Sequence, residues 1–169
     1  MEETNLSLDE IDSIAIHGSQ AMEELCGKPY QVGKHSEIDA QFSLSYILAS
    51  TISRKGVEIE NFSREAVRDQ SLAPHIKKIN VVVSPDISSR FACRIEIRMK
   101  NGNVLSKRVD TPKGQPENPM SWEESVEKFR RCSKYAAKPL NPENLEQFIQ
   151  RLRSLEDISD SANLVQFLV

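Results

Sequence analysis

Three cysteines and three histidines are the side chains of this sequence best able to do chemistry by themselves, as thiolate nucleophiles, metal ligands or proton carriers. Cys26, Cys93 and Cys132, and His17, His35 and His75, stand singly along 169 residues. No two cysteines share a CxxC spacing, and no Cys/His set has the spacing of a zinc site. HExxH, GxSxG, GxGxxG and the phosphate-cradling glycine loop are missing as well. The expectation is three reduced thiols, mostly packed, and three structural histidines. General motifs thus predict no metal and no cofactor, and they offer no enzyme.

The elements that must carry any site follow from periodicity. Residues 10–17 (EIDSIAIH) are β-branched and imperfectly alternating, which suggests a first strand. Ser19 is placed to cap a short helix from Gln20 to Leu25, and Lys28 to Lys34 reads as a loop broken by Pro29 and Gly33. Ser36, three residues before Asp39, heads the stretch IDAQFSLSYILASTISRKG, read as one helix closed by Gly56. Its stripe is Ile38, Phe42, Tyr46, Ala49 and Ile52, spaced by threes and fours.

Ser63 then starts a short helix, Leu72–Lys78 a second, and Ile79–Ser84 is a strand. Phe91 to Lys100 alternates strictly, and Asn101-Gly102 turns it into a partner strand over Val104–Val109. A proline-rich loop, residues 110–120, leads to the capping box Ser121-Trp122-Glu123-Glu124. That helix presents Trp122, Val126, Phe129 and Cys132 or Ser133 inward. Asn141-Pro142 opens the next, with Leu145, Phe148, Ile149 and Leu152 as its stripe, and a short helix spans Ser161–Leu168. The fold class expected is α+β: two layers, a small, mostly antiparallel sheet packed against helices.

Composition narrows the partners. Hydrophobic residues make up 38% and charged residues 28%, which argues against wholesale disorder. At this length a single domain, residues 1–169, is expected, burying roughly 68–70% of its unfolded surface. Lys and Arg number 22 against 25 Asp and Glu, so the net charge of −3 removes the footprint of a general nucleic-acid binder. Apolar runs of four or five residues fall far short of a membrane span, and MEETNLSLDE is unlike a signal or transit peptide. A cytoplasmic protein is expected.

Two segments, taken together, resemble a known family. Asp39-Ala40-Gln41-Phe42-Ser43-Leu44-Ser45-Tyr46, followed by Ala49 and Gly56, is the first. The second is Pro112-Lys113-Gly114-Gln115-Pro116-Glu117-Asn118-Pro119-Met120-Ser121, followed by Glu127-Lys128-Phe129. Each is similar to a signature of the C-terminal domain of the MmgE/PrpD family, which includes 2-methylcitrate dehydratase, cis-aconitate decarboxylase and iminodisuccinate epimerase. The order of the two segments and the hairpin between them also match, over roughly residues 8–157.

The resemblance implies metal-free proton transfer beside a carboxylate of a small di- or tricarboxylate, leading to dehydration, decarboxylation or epimerisation. Tyr46 matches a position where the decarboxylases place an active-site tyrosine. Its other reading is a core aromatic, although a buried tyrosine hydroxyl still needs a partner. Asp39, Gln41 and Ser43 belong to the same motif and are substrate-binding candidates, with helix-start stabilisation the alternative for Asp39. Lys113 and Gly114 can offer a cation and a backbone N–H to a carboxylate, or can simply fix the helix entry.

Family members carry a larger helical N-terminal domain that supplies most catalytic side chains. Here that domain is taken as absent, so the chain is expected to be inactive alone. A homodimer or hetero-complex is the expected assembly, since the surface facing the larger domain would lie open. The alternative functions are a non-catalytic interaction or dimerisation module and, more distantly, a small-molecule-sensing domain.

Overall fold

A computed structural model describes residues 6–168, which form two compact units meeting in sequence at Pro112 and Lys113. In the first, strands β1 (Ile11–Gly18), β2 (Ile79–Val83), β3 (Cys93–Met99) and β4 (Val104–Val109) form one sheet in the order β2-β1-β3-β4. β1 runs parallel to β2 and antiparallel to β3, and β3 is antiparallel to β4. The sheet is therefore mixed, with two of its three pairings antiparallel, and the α+β expectation holds.

Helices α1 (Gln20–Cys26), α2 (Ser36–Gln41), α3 (Leu44–Arg54) and α4 (Ala73–Ile76) supply the second layer. Ile14 and Ile16 of β1 pack with Ala40, Tyr46, Ala49, Leu72, Ile76 and Ile79 in one buried cluster. Ile11 joins that core because the β1–β3 register slips between Ile11 and Ser13, which changes which side chains face inward. The neighbouring positions project to the opposite face, where His17 Nε2 lies 3.6 Å from Glu96 Oε1 and Arg94 pairs with both Glu96 and Asp86.

The Asn101-Gly102 turn joins β3 to β4 as expected, with Gly102 at φ +90°, a conformation glycine enters without a Cβ clash. β4 is exposed along its whole length. It is an edge strand, and its Lys107 and Arg108 are the kind of charges that discourage further strand pairing. At the other edge Val82 and Val83 of β2 are exposed.

Three local expectations need correction. The single helix expected over the Asp39 motif is broken at Phe42 and Ser43: Ser43 is extended (φ −122°, ψ 109°) and caps α3. A serine hydroxyl that can bond nearby backbone competes with continued helix, and Ser43 does so here. As a result Ile38 and Phe42 lie on the surface, while Tyr46 and Ala49 remain buried. The helix start also differs. Ser36 does not cap; its hydroxyl closes a turn with Gly33, accepting from its N–H and donating to its carbonyl, both at 2.8 Å. At the other end Lys55, not Gly56, takes the left-handed residue of the cap (φ 57°).

The segment after α3 folds as short 3₁₀ turns, with the Ser63 hydroxyl accepting from Ala66 N–H at 3.2 Å.

The second unit contains α5 (Trp122–Ser133), α6 (Pro142–Leu152) and α7 (Ala162–Val165). The full capping box at Ser121 and Glu124 forms, as does the Asn141 cap on Glu143 and Asn144. Phe129 and Phe148 stack with centroids 5.5 Å apart, and Arg130 grips Glu146 through two bonds of 2.8 and 2.7 Å. Val126 and Ile149 are buried as their stripes predict, whereas Cys132 is exposed, which leaves Ser133 the more sheltered of the two alternatives. Among the described residues, no helix is long and apolar enough to cross a membrane.

Candidate functional site

The motif around Asp39 lies across the break between α2 and α3. Ser43 caps α3 by accepting from the Tyr46 N–H at 3.5 Å, and its own hydroxyl donates to the Lys28 carbonyl at 3.0 Å. The Ser45 hydroxyl is 3.0 Å away. A hydroxyl can donate one hydrogen bond, and that of Ser43 goes to the Lys28 carbonyl, so Ser45 is the donor in the serine pair. Ser43 and Ser45 are both buried. Ser43 thus fastens the loop before α2 to the first turn of α3.

That loop, Leu25 of α1, Asp39 of α2 and the break at Phe42-Ser43 border a pocket of about 280 Å³. Lys28, Tyr30, Gln31, Asp39, Phe42 and Ser43 are among the residues lining it. The Tyr30 hydroxyl donates to the Val67 carbonyl at 2.6 Å, and burial pushes its phenol above the usual range, so Tyr30 is a neutral donor at neutral pH. Phe42 and Leu25 expose about half of their surface beside the polar groups (50% and 51%), giving the pocket an apolar flank. Among the described residues, neither the Lys28 ammonium nor the Asp39 carboxylate has an ion-pair or side-chain hydrogen-bond partner. A cation and an anion therefore remain available at one small concavity.

Tyr46 sits behind this pocket. Its ring is 1% exposed and packs 4.8 Å from the Tyr30 ring and 6.0 Å from that of Phe62. Its hydroxyl donates to the buried Asn61 carbonyl and accepts from Arg54 Nη1 at 3.3 Å. Arg54 also holds Ser50, the Ala66 carbonyl and Asp69, while Asn61 Nδ2 donates to the Gly56 carbonyl. The hydroxyl sits in a network that ties α3 to residues 56–69. Gln41, the last residue of α2, is exposed and is not part of the pocket lining.

Lys113 and Gly114 belong to the second unit. The Lys113 ammonium is 2.9 Å from Glu124 Oε1, in the capping box of α5. Glu124 is held below the usual carboxylate range by the Ser121 backbone N–H and by Lys113. Gly114 adopts φ +96°, and its N–H donates to the Asn118 carbonyl at 2.8 Å. The structure therefore groups Asp39 and Ser43 with three residues that sequence reading passed over as loop: Lys28, Tyr30 and Gln31. The available signal was a lysine and a tyrosine flanking Pro29 just ahead of the motif.

Comparison with known families adds to this geometry. The sequence matches the MmgE/PrpD C-terminal domain over residues 1–154. The chain belongs to the MmgE/PrpD family. Among curated MmgE/PrpD-type relatives, cis-aconitate decarboxylase of Homo sapiens is 26% identical over 144 residues, covering 83% of this chain and 29% of that protein. The Mus musculus enzyme of the same name is 28% identical over 136 residues, 79% of this chain and 27% of its own length. The chain thus spans under a third of the curated relatives it matches. Among the described residues, no group of three or more His, Cys, Asp and Glu side chains could hold a metal.

Proposed function

We propose that this MmgE/PrpD C-terminal domain forms one wall of an active site that transfers a proton beside a carboxylate of a small di- or tricarboxylate. The reaction is a lyase reaction of the 2-methylcitrate dehydratase or cis-aconitate decarboxylase kind. The observation that carries the reading is the pocket beneath the Asp39 motif, where a lysine and an aspartate stand without partners beside a neutral tyrosine. General acid–base work on a carboxylate needs a cation to hold the charge and positioned proton carriers around it. Lys28 supplies the first; the chain alone contains no complete set of the second. Its turnover by itself is therefore negligible, and the remaining groups come from a helical domain of the family type.

Within this reading Tyr46, the catalytic candidate of the motif, acts by positioning Tyr30 through ring packing at 4.8 Å, since its own hydroxyl is committed to Asn61 and Arg54 and does not line the pocket. Asp39 and Ser43 shape the substrate wall, whereas Gln41 lies outside the pocket lining and has no part in it. Lys113, in the second unit, is a separate candidate that would take a carboxylate only by exchanging Glu124 for it, while the Gly114 N–H stays committed to the Asn118 carbonyl.

The test is to express the domain joined to, and separately alongside, an MmgE/PrpD helical domain, and to follow cis-aconitate and 2-methylcitrate. Product from the completed protein and none from the chain alone is the expected result. A folded, completed protein that converts neither acid, nor any related tricarboxylate, removes the catalytic reading.

The exposed Leu25, Val32, Ile38 and Phe42 favour a second reading, a non-catalytic interaction or dimerisation module. Sedimentation of the chain separates the readings from one side: a monodisperse monomer at high concentration counts against the module.

A further inference from the structure

We propose that Lys28 is the carboxylate anchor of the pocket at the α2–α3 break, and that Asp39 selects ligands with a hydrogen-bond donor beside that carboxylate. The proposal rests on the reading above and names the groups in this domain that hold the substrate. Three features carry it. Lys28 and Asp39 line the same pocket of about 280 Å³ and have no ion pair with one another. Two opposite charges that share a concavity without meeting leave both free to bind a third molecule.

Lys28 is also rooted on a fixed backbone. Its carbonyl takes the proton of the buried Ser43, and two residues on Tyr30 is tied to Val67. Only the side chain is left to move, so less freedom is lost when it takes a ligand. The remaining hydroxyls are already committed: Ser43 has donated to Lys28 and Tyr30 to Val67. The charges on Lys28 and Asp39 are thus the strongest uncommitted groups facing a ligand, with Phe42 as an apolar flank that reduces solvent screening.

A ligand complementary to this pair puts a carboxylate on the ammonium and donates a hydroxyl or amine proton to the aspartate. A dicarboxylate without that donor meets Asp39 as a like charge. The same chemistry arises from hydroxy acids and from amino acids, and the two are separated by titration.

Amide NMR titration of the isotope-labelled 169-residue chain with L-malate, L-aspartate and succinate tests the assignment. Malate or aspartate is expected to shift residues 28–31 and 39–43 with an affinity about tenfold above that of succinate, a typical effect of one charge-assisted bond. Whichever of the two binds tighter identifies the donor. Lys28→Met is expected to weaken that ligand about tenfold, and Asp39→Asn to bring succinate within about twofold of it. Both side chains are exposed, and unchanged circular dichroism checks that the variants fold.

Succinate binding as well as both others overturns the role of Asp39. Unaltered affinity in Lys28→Met, or no shifts in residues 28–43 with any of the three, overturns the anchor. Turnover by the completed enzyme is a separate readout: full activity with Lys28→Met removes the anchor and leaves the family reaction standing. No turnover in the completed wild type, with Lys28-dependent binding intact, removes the reaction and leaves the anchor.

Discussion

The Tyr46 hydroxyl donates its proton to the backbone carbonyl of Asn61, and both residues are buried. The residue that the motif singles out for chemistry is therefore also a structural tie between α3 and the turns that follow it. Tyr46→Phe keeps the ring and removes the tie, stranding the Asn61 carbonyl and one Arg54 N–H. A loss of about 1–3 kcal/mol in urea unfolding is expected. An unchanged midpoint would mean that water replaces the hydroxyl without cost.

Ser43 carries two jobs on one oxygen. Ser43→Ala deletes the α3 cap and frees the Lys28 carbonyl, and a typical cap loss is about 1 kcal/mol, within a range of roughly 0.5–2. Here the cost is expected at the upper end, since the Lys28 contact goes with it. Ser43→Thr, which keeps a hydroxyl able to cap and to donate to Lys28, is expected to recover part of the loss. Urea melts of the three proteins provide the check.

Asp69 gives the fold an acid-sensitive point. The Ser71 hydroxyl and backbone N–H donate to its carboxylate at 2.6 and 3.0 Å and, with Arg54, hold it below the usual aspartate range. A carboxyl depressed in the folded state stabilises the fold fully above its unfolded pKa, about 3.9, and loses that contribution as pH falls through the lower folded value. The gap in melting temperature between the wild type and Asp69→Asn is expected to be constant near neutrality and to close below about pH 4. A gap independent of pH down to about pH 2 would falsify the assignment.

Gly114 is held at φ +96° with nothing within 4 Å of the position a Cβ would occupy. The obstacle to a side chain there is backbone conformation alone. Gly114→Ala is expected to cost about 1–2 kcal/mol in the second unit. Gly114→Asn, a residue that enters positive φ more readily, should cost less. Equal losses for the two variants would point to a cause other than φ.

Much of the fold follows from local sequence signals. The strict alternation from Cys93 to Met99, the Asn101-Gly102 turn, the Ser121 box and the Asn141-Pro142 start all involve residues within a few positions of one another. Their bonding is local, so type and spacing suffice. The helix break at Phe42-Ser43 escaped the same reading, because apolar residues at threes and fours on both sides gave one continuous stripe. A hydroxyl does not announce in sequence that its partner is the Lys28 carbonyl, 15 residues back.

The sequence by itself determined the α+β class, most element boundaries and, through two ordered motifs, membership of the MmgE/PrpD family. Tertiary structure decided which motif residues face a cavity and which face the core. It buried Tyr46 against Asn61, turned Phe42 outward, and placed Lys28 and Tyr30 beside Asp39. The reason is physical. Helix and turn signals reflect interactions over three or four residues, whereas a pocket forms where segments distant in the chain are fastened together by single bonds such as Ser43 to Lys28 and Tyr30 to Val67.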